Sequence, residues 1–260
     1  GTVTIPEISK NVGLSLPTVT RAVEFSLKEG LMRQAGIVLG ERGRRACRYR
    51  LNADYIHFIF ISIRRGFLDF EVHDFLSNVL KKSSVPFKDG TGFSSLNSIV
   101  KKCLEEDPLI RMAGVAFSGA VNNGVIDTSF EFPSFSGFDL KRHLNVIFGL
   151  VAFVENDLKV AVSAAASYSQ KAESGITIAF LFGSDGYGSG VLVDGKLLKG
   201  AHGSTGRLSN LVVTQKDRRS NKIFSEFLRS LCAVFDPDRV VLYPGENADA
   251  EKVKARAFKE

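Results

Sequence analysis

Residues 4–30 read TIPEISKNVGLSLPTVTRAVEFSLKEG, and this stretch decides the fold of the N-terminal part of the chain. Thr4 and Glu7 stand at capping-box spacing, which predicts the start of a short helix. Gly13 then supplies a turn, and Ser15 is a suitable N-cap for a second helix. The pattern predicts a short helix, a tight turn and a longer helix.

The second helix is amphipathic. Four apolar residues recur at helical spacing and are expected to face inward, namely Val19, Ala22, Val23 and Leu27. The outward N-terminal end has small polar groups and one arginine. Such an end can enter a major groove, where Thr contacts phosphates or thymine methyls and Arg reads guanine. The residues predicted to contact DNA on this helix are Ser15, Pro17, Thr18, Thr20 and Arg21.

A basic hairpin follows the two helices. Period-two patterning over residues 31–35 and 46–51 predicts two strands. The glycine-punctuated segment between them, residues 36–45, contains Arg42, Arg44 and Arg45 and has the composition of a wing that contacts phosphates. The order of elements predicts a winged helix-turn-helix domain over residues 1–52 that binds double-stranded operator DNA. The alternative is a winged helix used only for protein contacts.

The charge distribution supports a polyanionic partner for this end of the chain. Residues 1–52 contain nine Lys and Arg against four Asp and Glu, whereas the whole chain has 34 and 28 and a net charge of +6. Almost all of the excess positive charge therefore belongs to the N-terminal module, which favours nucleic acid as its ligand. A basic, solvated face without a function is the alternative interpretation.

The remaining composition excludes several classes of protein. No segment approaches the roughly 18 to 20 apolar residues that span a bilayer, and residues 1–10 lack a signal-peptide pattern. We therefore expect a soluble, cytoplasmic protein without membrane contacts. Cys47, Cys103 and Cys232 are far apart and lack metal-binding spacing, so they are expected to be reduced, packed thiols.

Residues 53–260 predict an α/β domain. Strands are expected at 56–63 and 67–74 with a turn at 76–78, then at 110–117, at 151–154, at 175–182 and at 239–243, with glycine hairpins through Gly119 and Gly124 and over 189–198. Helices are expected at 94–105, 139–148, 157–168 and 221–235. This order of elements occurs twice and predicts a duplicated fold of two lobes, at about 53–170 and 171–260, with a cleft between them.

Short glycine-rich segments carry a more specific resemblance. They are GVAFSGAV at 114–121, GVI at 124–126, VEND at 154–157, GSDGYGSG at 183–190, VDGKLLKG at 193–200, GSTG at 203–206 and FDPDRVVL at 235–242. In this order the segments resemble the ROK family of repressors, open reading frames and sugar kinases, and the N-terminal module resembles the DNA-binding half of the family's repressors. The resemblance implies an actin-like, ribonuclease-H-like ATPase fold, a sugar bound between the lobes, and dimers or larger assemblies on paired operator half-sites.

The resemblance also shows where this chain departs from the family's kinases. Their first strand ends in an Asp-x-Gly-Gly-Thr-type phosphate turn, whereas residues 61–66 read ISIRRG, with no Asp or Thr and a single glycine. The glycine segment at 183–190 survives, either as a second phosphate loop or as a tight hairpin between strands. Asp157 matches the family's catalytic base but could equally be a helix cap. We therefore expect no kinase activity and no cofactor.

The resemblance also indicates which residues of this sequence stand at the family's ligand-binding positions. Asn156 and Asp157 match residues that bond sugar hydroxyls, and Gly119 matches a glycine of the pocket wall. The usual Gly-Glu-x-Gly-His segment reads GRLSN at 206–210, so Arg207 replaces the sugar-binding Glu and Asn210 replaces the His. That His is a zinc ligand in many members and the accompanying cysteine cluster is absent, so no metal site is expected. His202 either faces the pocket or is an ordinary surface or core residue.

The sequence thus predicts a transcriptional regulator, in particular a repressor of carbohydrate-related genes. The regulator is expected to sense a monosaccharide or a derivative and to act as a homodimer or higher oligomer. A carbohydrate kinase with a fused helical module and a ligand-free scaffold are the alternatives. The further helix that normally precedes such a helical pair is not found in the given sequence, and the C-terminal lobe is shorter than in a full family regulator, chiefly between residues 213 and 235 and after residue 245.

Overall fold

The computed structural model describes residues 1–39, 45–129, 131–167, 174–183, 186–201, 203, 205–206, 208, 221–244 and 249–258. In that part of the chain, none of the helices combines the length and apolar character needed to cross a bilayer.

Two helices and a hairpin form the N-terminal unit, residues 1–52. Helices α1 (Ile5–Val12) and α2 (Leu16–Lys28) precede the antiparallel strands β1 (Met32–Leu39) and β2 (Arg45–Leu51). Thr4 and Glu7 form the predicted capping box, Gly13 ends α1 in the left-handed conformation at φ 69°, and the Ser15 side chain caps α2. The predicted helix, turn, helix and hairpin are all present.

Three details of this unit differ from the prediction. β1 continues to Leu39 through a bulge at Gln34 and Gly36, so residues 36–39 belong to a strand rather than to the hairpin tip. Ala22 is exposed instead of facing inward, because α2 buries only Val19 and Val23. Thr20 is half-buried, and its hydroxyl donates to the Leu16 carbonyl within the same helix at 2.8 Å. The helical period alone misassigned the exposure of Ala22 and Thr20. The strand period alone ended β1 before residues 36–39.

The first lobe is built on a five-stranded sheet. Its strands are β3 (His57–Arg64), β4 (Phe67–His73), β5 (Val79–Pro86), β6 (Ile110–Phe117) and β10 (Val151–Asn156), in the spatial order β10-β6-β3-β4-β5. Helices α3 (Gly92–Glu106) and α4 (Leu140–Phe148) bury Leu96, Val100 and Leu144 against one face of this sheet. A small sheet consists of β7 (Ala120–Asn122), β8 (Val125–Thr128) and β9 (Phe138–Asp139), and a 3-10 turn at Pro133–Phe135 lies between β8 and β9 in the chain.

The second lobe repeats this topology in shorter form. Helix α5 (Asp157–Ser167) leads to β11 (Ile176–Gly183), β12 (Gly186–Val193) and β13 (Lys196–Leu197), followed by α6 (Asn221–Phe235), β14 (Arg239–Pro244) and α7 (Ala250–Ala257). As β6 pairs in parallel with β3, so β14 pairs in parallel with β11, next to an antiparallel meander. The predicted duplication of an α/β unit is confirmed. Sequence patterns had not indicated the 3-10 turn, β9 or α7.

Each sheet has its own core. The first centres on Ile61, Leu68, Val115 and Phe117, and the second on Phe180, Phe182 and Leu228, all fully or almost fully buried. Between the two, α5 packs against β11 and β12, so the helix that leaves the first sheet also supports the second. The start of α5 is therefore where the two lobes meet.

Candidate functional site

The turn from β10 into α5 places two polar side chains at this meeting point. Asn156 is the N-cap of α5: its Oδ1 accepts from the backbone N–H groups of Leu158 and Lys159 at 3.1 and 3.2 Å. Its Nδ2 donates to the Gly119 carbonyl at 2.8 Å and to Asp157 Oδ1 at 2.9 Å. Both amide hydrogens and both lone pairs of Asn156 are thus used within the chain, and the residue positions its neighbours.

Asp157 has an unusual protonation equilibrium for a carboxyl group. Removal of this half-buried carboxyl from water raises its pKa from 3.8 to about 6, and the negative charge of Glu131 adds to the effect. Its Oδ1 is engaged by the Leu158 N–H at 2.8 Å and by the Asn156 amide. A carboxyl with a pKa near neutrality can gain or lose a proton under physiological conditions.

Lys159 connects the lobes beside these two residues. Its ammonium is buried and donates to the Gly203 carbonyl, in the loop after β13, at 2.6 Å. Burial lowers the pKa of Lys159, while Glu155, at 3.8 Å, favours the charged form. Glu155 also pairs with Lys199 of the second lobe at 2.8 Å. Charged side chains from both lobes, Glu155, Lys159 and Lys199, therefore meet beside the start of α5.

The glycines of β12 allow α5 to approach closely. A Cβ on Gly190 would lie 2.8 Å from the Leu158 carbonyl oxygen and 2.9 Å from the Val162 side chain. A Cβ on Gly206, where φ is +82°, would lie 1.9 Å from the Ser189 carbonyl oxygen. Because backbone atoms fill these spaces, the glycines are explained by close packing between strand, helix and loop.

The turn between β3 and β4 is a tight hairpin. Arg64 pairs directly with Phe67 across it, and the intervening Gly66 adopts φ 78°. The Arg64 Nε donates to Asp69 Oδ2 at 2.7 Å and the guanidinium lies 5.3 Å from the centre of the Phe67 ring. The turn has a single glycine and a bulky arginine at each of positions 64 and 65, unlike the glycine-rich turns that let backbone N–H groups approach a phosphate closely.

The N-terminal unit presents a polar surface at the start of α2. Ser15, Pro17, Thr18 and Arg21 are exposed, and the hydroxyls of Ser15 and Thr18 lie 2.9 Å apart. Arg45, the first residue of β2, is also exposed. Within the described residues Arg21 has no acidic partner, so its guanidinium is available to a ligand.

Several predicted site residues lie outside the described part of the chain. They are Arg42 and Arg44 of the hairpin tip, and His202, Arg207 and Asn210 of the second lobe. Of the other predicted ligand-binding residues, the structure brings Gly119, Asn156 and Asp157 together through the Asn156 amide.

Residues 90–219, half of the 260-residue chain, match the ROK family. The chain belongs to the ROK family. The matched region contains α3, the turn into α5 and the glycine-rich strands of the second lobe, so the residues gathered at the meeting point of the lobes all lie within it.

Relatives of this ROK chain include both regulators and kinases. The xylose repressor of Caldicellulosiruptor bescii is 21% identical over 221 residues, which is 81% of this chain and 55% of the repressor. A ROK family transcriptional regulator, homologous to the Escherichia coli MLC protein, superposes with a TM-score of 0.64 at 17% identity over 89% of this chain and 64% of its own. The ROK hexokinase from Thermus thermophilus gives 0.59 at 19% identity, over 77% and 86%.

These likenesses establish the fold as that of ROK proteins. The chain spans about half of the length of the curated repressor that it matches. Structural similarity at identities below 20% is shared by members with different activities, so the residues of the site must decide between them.

Sequence patterns missed four charged residues of the site, Glu131, Glu155, Lys159 and Lys199. Glu155 lies near the end of β10 and Lys159 lies in the first turn of α5, so no single period relates the two residues. Glu131 and Lys199 lie in loops that have no periodicity, so only the tertiary fold brings them near Asp157.

Proposed function

We propose that this chain is a regulator of transcription that binds operator DNA through its N-terminal unit and a sugar or sugar derivative at the meeting point of its lobes, without phosphorylating it. The carrying observation is the exposed, polar start of α2 beside Arg21, on a unit that contains almost all of the excess positive charge. The whole protein would act in the cytoplasm as a homodimer on paired half-sites.

DNA binding uses two kinds of contact in this proposal. The N-terminal end of α2, with Ser15, Pro17, Thr18 and Arg21, enters the major groove and reads base edges. Arg45 and the neighbouring Arg42 and Arg44 contact phosphates beside it. Thr20 contributes less than the sequence suggests, because its hydroxyl already bonds to Leu16.

Ligand binding uses Asp157. Its Oδ2 is the remaining acceptor for a sugar hydroxyl, while Asn156 fixes the carboxyl in place through the bond to Oδ1. Gly119, whose carbonyl accepts from Asn156, borders the same site. His202, Arg207 and Asn210 complete the ligand contacts from the second lobe.

Phosphoryl transfer is disfavoured by the hairpin between β3 and β4. A nucleotide triphosphate needs backbone N–H groups and a metal around its terminal phosphates. Here Arg64 contacts Asp69 and Phe67, and Gly188 and Gly190 of β12 lie against Leu158 of α5. These features support a sensor that retains the kinase fold.

The proposal is tested in two steps. Selection from a random duplex library should enrich one sequence family, and thermal-shift screening against monosaccharides should identify a stabilising ligand. A ligand at 100 times its dissociation constant adds about 2.7 kcal/mol to stability. If the chain binds no duplex, it is not a regulator of transcription. If it binds a duplex but no sugar stabilises it, it is a DNA-binding protein whose lobes form a ligand-free scaffold.

A carbohydrate kinase is the second candidate, and the raised pKa of Asp157 favours it. A carboxyl with a pKa of about 6 could act as the general base on a sugar hydroxyl. ATP-dependent phosphorylation of a hexose that is abolished by Asp157→Asn would establish this activity in place of the non-enzymatic sensor.

A further inference from the structure

A buried histidine lies between the N-terminal unit and the first lobe. His57 begins β3, and its Nδ1 is 2.6 Å from Oδ2 of Asp107, the residue that ends α3. On the other side, its Nε2 is 3.9 Å from Asp54 Oδ1. Asp54 Oδ2 in turn accepts from Arg33 Nη2 of β1 at 3.0 Å. We call Arg33, Asp54, His57 and Asp107 the polar joint.

The polar joint crosses the point where the chain passes from one unit to the next. The N–H of Asn52 donates to the Leu31 carbonyl of the N-terminal unit at 2.9 Å. One residue later, the Ala53 carbonyl accepts from Phe75, in the turn between β4 and β5, at 2.9 Å. Backbone contacts thus change from one unit to the other at Asn52 and Ala53, and the side chains of the joint connect the units directly.

Two buried atoms of the joint have no hydrogen-bond partner in the described residues, His57 Nε2 and Arg33 Nε. Asp54 Oδ1, at 3.9 Å, lies beyond hydrogen-bonding distance of Nε2, while Asp54 Oδ2 is held by Arg33. A small shift of Asp54 would close this gap.

Helix α3 leads from the joint to the candidate ligand site. At its start, Gly92 lies so close to Phe87 and Phe135 that a Cβ would be 2.7 and 2.8 Å from their rings. Phe93 stacks on Phe135 with ring centres 4.0 Å apart. Phe135 belongs to the turn that follows Glu131, whose charge acts on Asp157. One rigid helix thus contacts the border of the ligand site at one end and the joint at the other.

We propose that the polar joint fixes the orientation of the N-terminal unit relative to α3, so that movement at the lobe interface is transmitted to the DNA-binding surface. Its use in regulation rests on the proposed function. The mechanical role of the joint does not, because it concerns only two parts of one chain.

Pulsed electron paramagnetic resonance tests the joint without DNA or ligand. Spin labels are placed on the exposed positions Lys28 and Lys101 by substitution with cysteine, in a full chain with Cys47→Ser, Cys103→Ala and Cys232→Ser. The distance distribution should be narrow, and Asp54→Asn or Arg33→Gln should broaden it about twofold or more, because inter-domain motion is the default once the contact is lost.

Arg64→Gln is the matched control, because it removes an exposed ion pair within one hairpin of the first lobe. Its distribution should equal that of the parent. Asp54 and Arg33 are partly exposed, and far-ultraviolet circular dichroism confirms that their variants are folded. If the distance distribution stays narrow in both folded variants, the polar joint does not fix the orientation of the N-terminal unit. This conclusion would hold whatever the outcome of the DNA-binding experiments.

Discussion

At the residue scale, Asp157 shows how burial converts an ordinary carboxyl into a group that titrates near neutrality. In the unfolded chain its pKa is near 3.8, whereas in the folded protein it is about 6. Between these values the native state binds the additional proton, so native stability increases as pH falls from about 6 towards about 4. Above pH 6 the ionised, half-buried carboxylate lowers the stability of the fold.

Asp157→Asn should therefore remove part of the pH dependence of unfolding. Urea unfolding at pH 4.5 and pH 7.5 should show that the wild type loses about 2 kcal/mol relative to the variant at the higher pH, since one pKa unit corresponds to about 1.4 kcal/mol and part of the shift is already expressed at pH 4.5. Asp249→Asn is the control of opposite sign, because the Lys252 backbone bond lowers the pKa of Asp249. Identical pH profiles for wild type and Asp157→Asn would contradict this account.

Arg21 and Arg45, both exposed in the N-terminal unit, should have different roles in DNA binding. Arg21→Ala should weaken binding to the selected duplex by about 10- to 100-fold, with little change for a random duplex, because a base contact is lost. Arg45→Ala should weaken both equally, as expected for a phosphate contact. Fluorescence anisotropy with both duplexes measures this, with Lys101→Ala as the control. If Arg21→Ala lowers the affinity for both duplexes equally, Arg21 does not contact base edges.

At the element scale, the contact between β12 and α5 depends on glycine. Gly190→Ala should destabilise the protein by about 1–3 kcal/mol or more, because the new methyl group meets the backbone of Leu158. Gly114→Ala is the matched strand variant, since the atoms nearest its new methyl group all belong to the exposed ring of Phe60. The thermal unfolding midpoint of Gly190→Ala should be clearly lower than that of Gly114→Ala. Equal midpoints would show that α5 can shift away from β12 to accommodate the methyl group.

Elements with strong local signals were predictable from the sequence. Thr4, Gly13 and Ser15 marked the helix boundaries of the N-terminal unit because capping depends on neighbouring residues alone. Residues 110–117 and 221–235 were predicted with the bounds that the structure has. The strand at residues 36–39 was missed because a bulge at Gly36 interrupts its period, and α7 was not assigned.

The candidate site was less predictable for the same physical reason. Asn156 and Asp157 were found by resemblance, but the saturation of the Asn156 amide depends on the Gly119 carbonyl, which is distant in sequence. The charges of Glu131 and Lys199 reach the site only through tertiary folding. Likewise, the sequence left the glycine segment at 183–190 as a phosphate loop or a hairpin, and only tertiary folding places Gly188 and Gly190 against α5.

At the scale of the whole molecule, a basic N-terminal unit is attached to a nearly neutral ROK domain. The separation of charge implies that electrostatic attraction to DNA acts on one end of the molecule. The lobes supply a protected polar site, and α3 with the polar joint connects that site to the basic unit. Sensing and DNA binding would then be separate tasks of one chain.

The salt dependence of duplex binding tests the central claim most directly. The dissociation constant of the intact chain for the selected duplex should rise by roughly two to three orders of magnitude between about 50 and 200 mM salt, because several phosphate contacts release counterions. Arg45→Ala should reduce the slope of log Kd against log salt by about 1. A chain that binds no duplex at low salt, or binds with an affinity independent of salt, would contradict the account.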